Sequence, residues 1–222
     1  MMTSKFARVG TLFTALFTLA CDTPSVTRPD YAYDPTQLSR GLLYRWASGT
    51  TVRVWVVSDG STALDLGVAT RSAMSRWNAV PQFGEFRLMA ATSIDAADIV
   101  VYDRVSSMPV QSGSCTFDAR GATGYTYFCP SSATPRRAER LPLAAGGTRA
   151  VTVVIRVDRG RVDSQRSYNA IVAHEFGHAL GIGAHSDSAA DLMFSLPTVE
   201  SPSPRDAATL QYVLGQVPGA IL

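Results

Sequence analysis

The sequence predicts an α/β domain over residues 49–222 of the 222-residue chain. Three observations carry that expectation. Five short runs are rich in β-branched and aromatic residues and read as strands. One of them, Ala97–Asp103 (ADIVVYD), is apolar throughout its centre, as a strand covered on both faces is. Between and after these runs, apolar residues recur at three- and four-residue steps, the period of a helix packed on one side.

Taken in order, the first strand is Thr51–Ser58 (TVRVWVVS). Thr62 to about Ala79 reads as a helix, since Leu66, Ala69, Ala73, Trp77 and Val80 form one stripe and Arg71 and Arg76 fall off it. Phe86–Ala90 is a short strand, and Ala97–Asp103 follows it. Residues 104–149 form a long irregular stretch with an aromatic strand candidate at Gly124–Cys129 (GYTYFC). Ala150–Asp158 (AVTVVIRVD) is the fifth strand. A helix then runs from about Ser164 to Gly181, with Asp163 or Ser164 as its N-cap. Ile171, Val172, Ala173, Phe176, Ala179 and Leu180 make it apolar nearly all round, which marks a central, buried helix. A last helix opens at Pro204 and runs to about Leu214, with Asp206 near its positive end.

Length leaves room for one domain and a leader. Lys5 and Arg8 precede an apolar run, Val9–Ala20, which is too short to span a membrane. Residues 1–20 therefore read as a signal peptide and 21–48, with Pro24, Pro29 and Pro35, as a linker carrying some packing residues. The formal charge of +2 falls to zero once Lys5 and Arg8 are set aside, so charge balance says nothing about partners, and the arginines read as composition bias and not as a nucleic-acid surface. The cluster Arg136, Arg137 and Arg140 reads as a solvated loop.

The leader ends Thr18-Leu19-Ala20-Cys21, similar to the lipobox of bacterial lipoproteins, which implies a lipid on Cys21. An ordinary cleavage site with an incidental cysteine is the alternative. Setting Cys21 aside leaves Cys115 and Cys129, an even pair in an exported chain, where a disulfide is expected and two free thiols are the alternative. Closing that loop is worth about 3 kcal/mol in the chain-entropy picture. The expected location is outside the cytoplasm, either lipid-anchored or secreted, with membrane contact only through the N-terminus.

All three histidines lie between positions 174 and 185. His174 and His178 stand one helical turn apart in His174-Glu175-Phe176-Gly177-His178, so both imidazoles project from one face. That spacing lets both nitrogens reach one metal at about 2.0–2.1 Å. Glu175 lies beside that face, within reach of a metal-bound water without being a ligand. Gly181 sits where the helix must stop. The chain then reverses and can return His185 as a third ligand, leaving the open position of a catalytic site.

HEFGHALG, followed by His185 and by Met193 in Asp191-Leu192-Met193-Phe194, resembles the metzincin zinc metalloproteases, most closely their matrixin-like branch. The offset of eight from His185 to Met193 is that of the branch. One departure stands out. The family's third histidine falls three residues after the glycine, where this chain has Ala184, and His185 comes one later, with Gly183 offering freedom to absorb the extra residue. An acid, Asp187 or Glu200, is the alternative third ligand. The motif covers about twenty residues, and the order of elements extends a weaker likeness over roughly 50–222.

The resemblance implies a twisted, mostly parallel five-stranded sheet with an antiparallel edge strand that pairs with a bound peptide. It also implies a backing helix, a central active-site helix, and a small C-terminal subdomain with one helix. It implies a monomeric endopeptidase with one catalytic zinc on His174, His178 and His185, Glu175 as general base, and Met193 as a packing floor. Its partner is a protein or peptide substrate. Some metzincins carry a tyrosine ligand two residues after the methionine, and here that position is Ser195. A rival expectation is a non-catalytic cell-surface binding lipoprotein with a vestigial metal site. An intact Glu175 argues against it, because a structural site has no use for that carboxylate.

Overall fold

The computed structural model describes residues 32–38, 43, 45–57, 63–103, 121–130 and 151–216. The leader, Cys21, Cys115, the Cys129 side chain and the Arg136–Arg140 cluster lie outside the described residues.

The strands are β1 (Thr50–Val56), β2 (Phe86–Ala90), β3 (Ile99–Asp103), β4 (Gly124–Pro130) and β5 (Val151–Val157). The helices are α1 (Leu66–Trp77), α2 (Gln165–Ala179) and α3 (Pro204–Leu214). The strands form one sheet in the order β2-β1-β3-β5-β4. All neighbours are parallel except β4, which runs antiparallel to β5. The expected sheet of five strands, mostly parallel with one antiparallel pair, is present. In β1, Val52 and Val54 are buried while Arg53 turns outward, the alternation that a strand imposes. All five residues of β3 are buried, matching its unbroken apolar run.

Several boundaries differ from the sequence reading, three of them beside specific side-chain hydrogen bonds. The helix expected from Thr62 starts at Leu66, because Asp65 caps it by accepting the amide of Val68 at 2.9 Å. It ends at Trp77, because the Asn78 side chain bonds both backbone groups of Leu88 on β2, at 2.7 and 3.0 Å. The strand expected from Ala97 starts at Ile99, and the Asp98 carboxylate just before it accepts three hydrogen bonds from Arg53, one from its amide and two from its guanidinium.

α1 and α2 pack against each other over the sheet, and one core joins Val52, Val54, Ile99, Val101, Val153 and Ile155 to Trp77, Val172 and Phe176. The upstream segment also contributes. Leu43 and Trp46 are buried, and the Trp46 indole donates to the carbonyl of Ala179 at 3.0 Å. α3 opens with a capping box, in which Ser203 and Asp206 satisfy each other's backbone amides and Pro204 takes the first helical position. Among the described residues, no helix is long and apolar enough to cross a membrane.

Candidate metal centre

α2 mounts the site. Ser164 is its N-cap and accepts the amide of Ser167 at 3.2 Å. The Trp77 indole donates to the carbonyl of Ala173 at 2.7 Å, and Trp46 holds the carbonyl of Ala179. The helix therefore has a tryptophan hydrogen bond on each side of His174 and His178. At its end Gly181 takes φ 115°. Its amide bonds the carbonyl of His178, and the Ile182 amide bonds that of Gly177, both at 3.0 Å. These are the two bonds of a glycine-terminated helix, and they reverse the chain toward the metal face.

The reversal returns His185. His178 Nε2 lies 3.1 Å from His174 Nε2 and 3.3 Å from His185 Nε2. Ligands placed tetrahedrally at about 2.0–2.1 Å from one metal sit about 3.3 Å apart, so the spacing fits a shared ion. The outer nitrogens are committed elsewhere. His174 Nδ1 bonds the carbonyl of Leu192 at 2.8 Å, and His178 Nδ1 bonds that of Ile182 at 2.6 Å. A carbonyl only accepts, so each Nδ1 carries the proton and each Nε2 presents a lone pair. Two facing lone pairs at 3.1 Å repel unless they share a cation. Burial pushes His178 down to about 4, takes His174 well below its ordinary value and lowers His185, so all three are neutral donors at pH 7. His174, His178 and His185 could together hold a metal ion.

The two acids that sequence left open as third ligands are elsewhere. Asp187 is exposed and pairs with Arg205 at 2.6 Å. Glu200 accepts from Asn169 at 3.0 Å and Arg76 at 3.3 Å. The extra residue before His185 is accommodated in a different way from the one expected. Gly183 does not take a positive φ, and Gly181 alone does so in this turn. The Gly183 carbonyl instead accepts the amide of Leu38 at 2.6 Å, from the upstream segment.

Below the histidines, Met193 is fully buried against α2. A Cβ on Gly177 would collide with the Met193 sulfur and come within 2.9 Å of Trp77. The methionine turn is held by Asp206, a fully buried carboxylate on α3. It accepts the amides of Leu192 (2.8 Å), Met193 (3.3 Å) and Ser203 (2.8 Å), and the Tyr33 hydroxyl (2.7 Å). The His185 loop is tied to the same turn by Ser186, whose amide donates to the carbonyl of Met193 at 2.8 Å and whose hydroxyl donates to Asp191.

Glu175 is buried beside β4. The Thr126 hydroxyl lies 2.7 Å from its Oε2 and 2.9 Å from its backbone oxygen. Burial pushes the carboxyl up to about 8, and the Thr126 hydrogen bond opposes that shift. Glu175 and the three histidines line one cleft of about 870 Å³. Gly124, Tyr125 and Thr126 of β4 form one wall, and Leu196, Pro197 and Leu38 contribute others.

Sequence reading singled out His174, Glu175, His178, His185 and Met193, which the structure brings close together. It missed Thr126 and Gly124 as neighbours of Glu175, although the period of two in GYTYFC already sets Gly124, Thr126 and Phe128 on one face. Asp206 was read only as a helix-start acid, and nothing local revealed its hold on the methionine turn. Neither the family models nor the curated proteins contain a match to this chain.

Proposed function

We propose that this chain is a zinc-dependent endopeptidase of the metzincin type, in the matrixin-like branch. The observation that carries the reading is the convergence of three imidazole Nε2 atoms in the same cleft as the Glu175 carboxylate. Zinc held by His174, His178 and His185 supplies Lewis acidity, polarising a carbonyl and making water more acidic. Imidazole donors and an open fourth position suit zinc among the common ions.

The chain's own residues do the rest. β4 is an edge strand of the described sheet and the one that walls the cleft, and an extended peptide adds along it by main-chain hydrogen bonds. Glu175 removes a proton from the attacking water and delivers it to the leaving nitrogen. Its buried setting raises its basicity, which suits both transfers. The Nδ1 bonds of His174 and His178 keep the imidazoles from rotating. Export, a lipid on Cys21 and a Cys115–Cys129 bridge belong to the same proposal. Mass spectrometry of the mature N-terminus and non-reducing peptide mapping test those three.

Cleavage of a casein-type substrate tests the activity. The reading expects turnover that a chelator abolishes and added zinc restores. A chain that binds zinc and cleaves nothing across a broad peptide library rejects the enzyme reading in favour of a binding lipoprotein.

A further inference from the structure

We propose that Thr126 and Gly124, one β-strand away from the metal-binding helix, are positioning residues for Glu175. The inference rests on the endopeptidase reading above.

A glutamate on a helix has three rotatable bonds, and a base that samples several rotamers is seldom aligned with its proton. Something must select one rotamer. Among the described residues, Thr126 is the one hydrogen-bond donor to this carboxylate, at 2.7 Å from Oε2. A hydroxyl has one proton to give, and the Glu175 Oε2 at 2.7 Å lies nearer to it than the backbone oxygen at 2.9 Å. The bond therefore anchors Oε2 to the sheet and leaves Oε1 as the free oxygen.

Gly124 acts on the other oxygen. A Cβ built at position 124 would stand 2.5 Å from Oε1 and 2.9 Å from Cγ of Glu175, as well as 2.9 Å from Ile171 Cγ2. No side chain fits there while Glu175 keeps its place. Gly124 is not among the glycines with positive φ, so the requirement is space and not backbone conformation. Gly124 and Thr126 are alternate residues of β4 and share the face toward α2. One strand thus supplies both the anchor for one oxygen and the clearance for the other. The same strand forms a wall of the cleft. The rotamer of the base and the wall that a peptide meets are consequently set by one element.

The experiment compares the parent mature chain with Thr126→Val, Thr126→Ser and Gly124→Ala. Valine keeps the branched shape of threonine and its fit to a strand. Thr126→Val is expected to lower kcat about 10- to 100-fold while KM and zinc affinity stay within about threefold of the parent. Thr126→Ser is expected to regain most of the loss, and Gly124→Ala to show a loss in kcat like that of Thr126→Val. Crystals of the parent and of Thr126→Val, grown without substrate, read the carboxylate directly. The expected result is a Glu175 side chain turned away from β4 in the valine variant. Parent-like kcat in Thr126→Val, failure of serine to restore it, or an unmoved Glu175 overturns the proposal. Should the parent itself cleave nothing, the peptidase reading falls alone, and the position of Glu175 in the two crystals still decides what Thr126 does.

Discussion

The buried carboxylate of Asp206 accepts the amide proton of Leu192 at 2.8 Å. The carbonyl of that same Leu192 is the partner of His174 Nδ1. One residue of the methionine turn therefore links a carboxylate on α3 to a candidate metal ligand on α2. Asp206→Asn replaces one acceptor oxygen with a donor that faces two of the four groups now bonded to it. The expected cost is about 2–4 kcal/mol of folding stability from the unpaired donors. Zinc affinity should also fall by about 10–100-fold, the range for groups that orient a ligand. Urea unfolding of the metal-free chain and competition with a chromophoric chelator measure the two effects separately.

His185→Ala removes a nitrogen 3.3 Å from His178 Nε2 and should weaken zinc by more than about 100-fold, beyond what an orienting group costs. Asp187→Ala and Glu200→Ala should bind zinc like the parent, since both acids are engaged by arginines away from the cluster. Glu175→Gln should keep zinc and lose turnover. Zinc titration of the four variants, with a peptide assay on the last, checks the set. Parent-like binding by His185→Ala would remove it from the ligand set.

Gly177→Ala poses a sign question. On a free helix the change would stabilise by roughly 1 kcal/mol, because alanine is the better helix former. Here the new Cβ meets the Met193 sulfur and Trp77, both buried. Overpacking of that kind costs about 1–3 kcal/mol. The clash with two large, fully enclosed neighbours should win, giving a net loss of stability. Thermal unfolding decides it, and a raised Tm would show that the methionine has room to move.

Trp46 lies within the segment read from sequence as a linker, yet it is almost fully buried. Trp46→Ala should cost about 3–5 kcal/mol. A chain begun at residue 49 should lose at least as much stability relative to one begun at residue 22, because Leu43 leaves with it. Urea midpoints at unchanged slope test this. Equal midpoints would return residues 22–48 to the role of a passive tether.

Local geometry was legible in the one-dimensional pattern. A four-residue spacing fixes the relative placement of His174 and His178 on any α-helix, whatever surrounds it. Gly181 as the stop, Ser164 as one of two N-cap candidates and Pro204 as the opening of the last helix are likewise short-range, and all are present. The run of apolar residues in β3 announced a strand buried on both faces. What tertiary structure decided were the pairings between distant segments. Sequence left His185, Asp187 and Glu200 open as the third ligand; His185 is the one that joins His174 and His178 in a group that could hold a metal, because the path after Gly181 aims it inward and arginines hold the two acids outside. Thr126 meets Glu175 across 49 residues, Trp46 meets Ala179 across 133, and Tyr33 meets Asp206 across 173. No periodicity reports such contacts. They arise when helices and strands, each specified by its own short-range pattern, pack to bury their apolar faces together, and that packing determines which polar groups are left within reach of one another.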